Sequence, residues 1–137
     1  MTYRKAAIRT ILLVAGMITS LVGLASMIVP VETEAGLGIV INSEASLLNE
    51  LRASGGGLAA VGGYILYGAF IAELAYSATL LATLMYLGFG FARVLSMALD
   101  GMPDPRLLQV TVVEFAIGLL CFAALMMCKR QPGQPRG

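Results

Sequence analysis

Four long apolar stretches, separated by short polar segments, occupy most of the chain. They cover residues 6–29, 51–72, 75–99 and 107–128. A helix needs about 20 apolar residues to cross the ~30 Å hydrocarbon core of a bilayer, and each stretch reaches that length. The pattern therefore predicts an all-α fold, a bundle of four transmembrane helices joined by short hairpin connections.

The composition agrees with a membrane protein. Of 137 residues, 58% are hydrophobic and 12% are charged, and the mean hydropathy is +0.86. Soluble domains contain about 25% charged residues. The four stretches leave no room for a soluble domain, so we expect residues 1–130 to form a single membrane domain. The Pro- and Gly-rich segment 131–137 is predicted to be a disordered tail.

The distribution of basic residues predicts the orientation. Six of the nine lie before or at the start of the first apolar stretch, or after the last one: Arg4, Lys5, Arg9, Lys129, Arg130 and Arg136. Cytoplasmic segments carry the excess of Lys and Arg, so both termini are expected to be cytoplasmic. An alternative is that the first stretch is a signal peptide, with small residues at Gly23, Ala25 and Ser26. The apolar run continues to Val29, which is longer than a usual signal core.

Turn and capping residues set the expected helix bounds. The first helix should end at Pro30, which cannot continue the hydrogen-bond ladder, and loop 31–42 should lie in the membrane interface. Ser43 is the expected N-cap of the second helix, which should run to about Ala72. Gly101 is the expected C-cap of the third helix.

The second stretch is rich in glycine, which in lipid permits close approach of neighbouring helices. Arg52, Gly55 or Gly56, Ala59 and Gly63 share one helical face. We expect this face to be the buried seam of the bundle. The alternative is that these glycines merely reflect the high glycine content of membrane helices.

Arg93 and Glu114 lie inside apolar stretches, where an unpaired charge is costly. Arg93 is six residues before the end of the third stretch, and Glu114 is seven residues after the start of the fourth. At 1.5 Å per residue, both lie about 9–10 Å below the same membrane face. A short loop joins the two helices, so we expect an ion pair. The arginine guanidinium can bind a carboxylate through two hydrogen bonds.

Further polar residues are expected around this pair, at the outer end of the bundle. The predicted cluster consists of Glu50, Arg52, Arg93, Ser96, Asp100 and Glu114. Three roles remain open for it. The cluster could be a structural latch that fixes helix register, a ligand site open to the outer leaflet, or a proton relay through the Glu114 carboxylate.

The residues offer little for catalysis. The chain has no histidine, hence no imidazole base and no His-ligated metal. It has no GxxxxGK[ST] phosphate loop and no HExxH sequence. Cys121 and Cys128 lie two turns apart on the last helix, too far to bridge within it. We predict no catalytic residue, no cofactor, no metal and no nucleic-acid partner, although the net charge of +1 by itself says nothing about nucleic acid.

Three segments carry a family resemblance: residues 49–53 with the following Gly56, residues 92–103, and Glu114. In these segments the chain resembles a family of small bacterial four-helix integral membrane proteins of unknown function. The similarity extends from the first helix to Lys129 and Arg130. It implies a four-helix fold in the bacterial inner membrane with the polar residues on one side, and it brings no activity with it.

Three functions are compatible with these features. The first is a non-enzymatic accessory or structural subunit of a larger membrane assembly, whose partners are the lipid bilayer and other membrane subunits. The second is a binder or carrier of a lipid or small hydrophobic molecule, with Arg52 and Arg93 holding the polar head. The third is a membrane enzyme with Glu114 as acid or base, which no catalytic set supports.

Overall fold

The computed structural model describes residues 2–129, which fold into an antiparallel helical bundle. The helices are α1 (Thr2–Ile28), α2 (Pro30–Gly36), α3 (Ala45–Gly68), α4 (Ala75–Asp100) and α5 (Pro105–Lys129), with a 3₁₀ turn at Ala72–Leu74. The predicted all-α fold is confirmed. The predicted disordered tail, 131–137, lies outside the described residues.

Three segments of the described chain are long and apolar enough to cross a membrane. They are Tyr3–Ile28, Ala72–Asp100 and Pro105–Cys128. The second predicted span, 51–72, lies mainly in α3 and is not among them. Its glycines and Arg52 lower the mean hydropathy of a helix that is otherwise long enough, with 24 residues.

The tightest packing joins α1 to α3. A Cβ added to Gly62 would lie 2.5 Å from the backbone nitrogen of Ser20, and one added to Gly23 would collide with the backbone of Ala59. The helices therefore run antiparallel with their backbones in contact, as small residues permit.

The glycine seam was predicted in the right helix but with a partly wrong face. Gly55 and Gly62 are buried against α1, whereas Arg52 and Gly63 are exposed. Two helical turns take 7.2 residues, so the seven-residue step from Gly55 to Gly62 stays on one face. The eight-residue step from Gly55 to Gly63 rotates away from it.

A second antiparallel pair is formed by α4 and α5. Gly118 lies against Leu87, and Gly90 lies against the ring of Phe115. Phe115 also makes an edge-to-face contact with Phe91, with ring centroids 5.1 Å apart. These contacts set the register of α4 against α5, and this register places Arg93 beside α5.

The two pairs meet around a core of small and medium side chains. Leu12 and Ala15 of α1 pack with Ile65 of α3, and with Ala82 of α4 and Cys121 of α5. The two ends of the bundle are closed by polar contacts to backbone carbonyls. Arg4 donates to the carbonyl of Met127, and Arg106 donates to the carbonyl of Ala35 at 3.3 Å.

Several predicted boundaries are corrected. Helix α3 begins at Ala45 with Glu44 at its N-cap, not at Ser43, and no side chain caps it by a hydrogen bond. It ends at Gly68, before the predicted Ala72, and the loop after α1 contains the short helix α2, which Pro30 opens. Gly101 is the C-cap of α4, as predicted, with φ of 97°.

Candidate functional site

Two regions of the bundle carry polar side chains, and they lie at opposite ends. We call the end with α2 and the α4–α5 connection the loop end. The end where the start of α1 meets the end of α5 and the α3–α4 turn is the terminal end. All six residues of the predicted cluster belong to helical segments near the loop end.

Arg93 and Glu114 form the predicted ion pair, which is confirmed. The Arg93 Nε donates to Glu114 Oε2 at 2.8 Å. The Arg93 side chain is 30% exposed and that of Glu114 only 11%. The contact is one hydrogen bond through Nε, rather than the two-bond fork that the guanidinium permits. The pair therefore ties α4 to α5 at a partly buried depth.

A small cavity adjoins this pair. Its volume is about 80 Å³, and its lining includes Arg93, Ser96, Met97, Leu107 and Thr111. A water molecule takes up about 30 Å³ in the liquid, so the cavity has room for two or three waters. Its size suits hydration of the exposed edge of the guanidinium, and it is much smaller than the ~300–1,000 Å³ of ordinary ligand sites.

The other predicted cluster residues do not extend this network. Ser96 donates to Asp100 Oδ2 at 3.1 Å, and both side chains are exposed. Glu50 and Arg52 are exposed on α3, and in residues 2–129 no hydrogen bond or ion pair joins them to Arg93. Helix α3 packs mainly on α1 and to a lesser extent on α4, and within residues 2–129 its backbone does not come close to that of α5. The six residues therefore share an end of the bundle without forming one cluster.

One buried polar contact, between α1 and α4, was not predicted from the sequence. The Tyr86 hydroxyl lies 2.9 Å from Thr19 Oγ1 and donates to the carbonyl of Ala15 at 2.8 Å. Both side chains are at most 5% exposed. Thr19 and Tyr86 are visible in the sequence as polar groups in apolar runs, but nothing in the pattern pairs them.

A second, larger cavity was also not predicted from the sequence, and it lies at the terminal end. Its volume is about 540 Å³. Its polar lining consists of Lys5, Arg9, Glu73, Tyr76 and Cys128, and its apolar lining includes Ile8, Leu12, Ala69, Phe70 and Ala75. The only sequence signal for it was the basic start of the first helix, which we interpreted as an orientation signal alone.

The chemistry available at these two sites is that of charged and hydroxyl groups. Within residues 2–129, no group of three or more Cys, Asp or Glu side chains is placed to hold a metal ion. Cys121 and Cys128 are free thiols, and Cys121 is fully buried. The arrangement supports binding and positioning of helices better than it supports a reaction.

Comparison with known proteins gives a family without an assigned activity. A family model described as a domain of unknown function, DUF4345, matches residues 7–125, from the first helix into the last. No curated protein and no solved structure gives a significant match. Because the family model covers most of the chain, the protein belongs to the DUF4345 family.

Proposed function

We propose that this DUF4345 protein crosses the bacterial inner membrane four times and serves as a non-enzymatic subunit of a larger membrane assembly. In this proposal the terminal end of the bundle faces the cytoplasm. The observation that carries the proposal is the outward face of α3, which has the composition of a helix–helix contact surface and not of a lipid-facing one.

The packing of α3 supports its role as the fourth span. It lies antiparallel to α1, with Gly62 beside Ser20 and Gly55 beside Met27, so it runs through the same depth as an apolar span. The contact of Arg4 with Met127 brings the start of α1 beside the end of α5. If α1, α4 and α5 each cross the membrane, the start of α1 and the end of α5 can lie on the same side of it only when α3 crosses as well.

The charge distribution supports the orientation. Arg4, Lys5 and Arg9 lie at the terminal end, where the carbonyl of Met127 also lies. Cytoplasmic ends of membrane helices carry the excess of Lys and Arg, which favours a cytoplasmic terminal end. Residues 31–43 contain Glu32 and Glu34 but no basic residue, in agreement with an external loop end.

The outward face of α3 differs from the exposed faces of the other long helices. Exposed large apolar side chains of α1, α4 and α5 include Leu21, Leu84 and Leu120, as lipid contact requires. On the face of α3 that is centred on Ala60 and points away from α1, the exposed residues are small or polar apart from two tyrosines, and exposed Leu47 lies off this face. They are Ser46, Asn49, Ala53, Gly57, Ala60, Gly63, Tyr64 and Tyr67. We call this set the α3 face.

Small residues on a membrane helix let a second helix approach its backbone closely. A Cβ at Gly57 or Gly63 would meet nothing within 4 Å, so these positions are open in the single chain. The same type of surface, on the other side of α3, is already filled by α1 through Gly55 and Gly62. The α3 face is therefore suited to a further transmembrane helix.

The charges beside the α3 face favour a second copy of this chain as the neighbour. At 100° per residue, Glu50 and Arg52 lie about 80° on opposite sides of Ala60, and differ by about 3 Å in height. In a parallel two-fold pair of α3 helices, Glu50 of one chain lies beside Arg52 of the other, and the reverse pair forms by symmetry. Both side chains are exposed in the single chain.

In this proposal the Arg93–Glu114 pair is a structural latch. It lies between α4 and α5, with an 80 Å³ cavity that is too small for a lipid head group. Its hydrogen bond of 2.8 Å reinforces the register that the packing of α4 on α5 sets. The pair then keeps the subunit in shape and takes no part in its contacts with other proteins.

Disulfide cross-linking in native membranes tests the subunit role. In a background with Cys121→Ala and Cys128→Ala, Ala60→Cys is placed on the α3 face and Val113→Cys on the exposed surface of α5 as the matched control. We expect Ala60→Cys to form a product of twice the 14.4 kDa chain mass, and Val113→Cys to remain uncross-linked.

The alternative outcomes are distinguishable. A product at Ala60→Cys with the mass of another protein would keep the subunit role and exclude self-pairing. Equal cross-linking at both positions, or none at either, would refute the proposal. For self-pairing, Glu50→Arg alone and Arg52→Glu alone should each weaken the cross-link, and the double variant should restore it.

A further inference from the structure

We infer that the terminal-end cavity is a binding site for an anionic amphiphile. The expected ligand has a phosphate or carboxylate head group and an acyl chain. This site is separate from the α3 face and does not depend on the proposed subunit role. The argument rests on the size of the cavity, the chemistry of its wall and the charges at its mouth.

The cavity has the size of a ligand site. Its volume of about 540 Å³ falls inside the ~300–1,000 Å³ range of small-molecule pockets. It lies where α3 ends at Gly68 and the chain turns through Phe70 and a 3₁₀ turn before α4 begins at Ala75. Its wall is completed by residues of α1 and by Cys128 of α5.

The wall changes from polar to apolar with depth. Lys5 is exposed at the start of α1, whereas Leu12 is fully buried in the core. Seven residues of helix separate the two, so the cavity follows α1 for about 10 Å. Ile8 of α1 and Ala75 of α4 complete an apolar wall. Such a wall accommodates hydrocarbon and offers nothing to a purely polar solute.

The mouth carries more positive than negative charge. Lys5 and Arg9 contribute two cations, and Glu73 contributes one carboxylate. The Arg9 guanidinium lies 5.1 Å from the centroid of the Phe70 ring, a contact that holds it at the cavity. Among the described residues, neither Lys5 nor Arg9 donates a hydrogen bond to another side chain or carbonyl.

These features select an anionic head. A guanidinium binds a phosphate or carboxylate through paired, charge-assisted hydrogen bonds, and Lys5 adds a second positive charge. Glu73 can accept a hydrogen bond from a hydroxyl or ammonium group on the same head. Phospholipids and fatty acids both combine such a head with an acyl chain, so the test must separate them.

The two cysteines provide a direct measurement. Cys128 lines the cavity, whereas Cys121 is fully buried in the core. A ligand in the cavity should therefore slow alkylation of Cys128 by a maleimide. Cys121 should remain unreactive as long as the bundle is folded, so it reports folding in the same sample.

The experiment uses the full chain in a neutral detergent, with phosphatidylglycerol, oleate or phosphatidylcholine added. We expect phosphatidylglycerol or oleate to slow Cys128 alkylation, and the more protective of the two identifies the head group. Phosphatidylcholine should protect less. Arg9→Gln should weaken the apparent affinity about tenfold or more, the effect of losing hydrogen bonds to a charged group. Arg106→Gln, a matched change at an exposed arginine of the loop end, should leave it unchanged.

A variant that fills the cavity gives an independent test of ligand binding. Ala72 is exposed at the cavity mouth, and Ala72→Phe should abolish protection without exposing Cys121. If Arg9→Gln exposes Cys121, the Ala72→Phe result decides. The inference fails if neither anionic amphiphile protects Cys128, if phosphatidylcholine protects it equally, or if Arg106→Gln reduces protection as much as Arg9→Gln.

Discussion

The contact between the backbones of α1 and α3 can be tested with two glycine-to-alanine substitutions. Gly62→Ala adds a methyl group 2.5 Å from both the backbone nitrogen and the Oγ of Ser20. Gly88→Ala, on the exposed surface of α4, adds the same group where nothing lies within 4 Å. The two variants change helix propensity equally, so their difference in stability isolates the contact.

The magnitude follows from the geometry. Carbon atoms pack at about 3.5–4.0 Å, so the new methyl at Gly62 requires α1 and α3 to separate locally by about 1 Å. A gap of ~0.5–1 Å removes about a quarter to a half of the dispersion energy of each atom pair. Overpacking of this kind costs about 1–3 kcal/mol, partly offset by about 1 kcal/mol of helix propensity. Gly88→Ala should stabilise the fold by about 0.5–1 kcal/mol.

The assay is unfolding in mixed micelles of neutral detergent and increasing SDS. Loss of tertiary structure is followed by alkylation of Cys121, which is fully buried, in a Cys128→Ala background. We expect the transition of Gly62→Ala at lower SDS than wild type and that of Gly88→Ala at equal or higher SDS. A Gly62→Ala protein as stable as Gly88→Ala would refute the backbone contact between α1 and α3.

Two further predictions concern polar contacts. In a double-mutant cycle of Arg93→Met and Glu114→Gln, we expect a coupling energy of about 1.5–3 kcal/mol, the range for hydrogen bonds to charged groups. The same unfolding assay measures it, and a coupling near zero would show that the pair at 2.8 Å contributes nothing to stability. Tyr86→Phe should lower stability by about 1 kcal/mol because it removes a buried hydrogen bond to the Ala15 carbonyl. Tyr64→Phe, whose hydroxyl is exposed, is its control, and equal effects of the two changes would contradict this reasoning.

The Arg93–Glu114 pair could be predicted because few arrangements of the helices give each of these two charges a partner. Each residue is a single charge in a long apolar run, the two depths match, and a short loop makes the helices neighbours. Glu50 and Arg52 lie at the same end of the predicted bundle, but their direction around the second helix could not be determined from the sequence. The structure turns Gly55 and Gly62 toward α1, and this rotation leaves Arg52 exposed and distant from α5.

The terminal-end cavity could not be found from the chain pattern. Its lining comes from both termini of the bundle and from the turn between α3 and α4. Periodicity predicts which face of a helix is apolar, but not the space left where helix ends fail to meet. The continuous apolar run to residue 72 also predicted a longer helix than the one ending at Gly68, and the segment that leaves the helix there lines the cavity.

The pairing of α1 with α3 and of α4 with α5 has a consequence for how the protein is made. Each pair is consecutive among the long helices, and each closes mainly on itself, since the contacts between the pairs are sparser than those within them. Helices α1 and α3 can therefore pack against each other before the ribosome has produced α4. The bundle can then form from two successive helix pairs, which the bond of the Tyr86 hydroxyl to the Ala15 carbonyl of α1 joins.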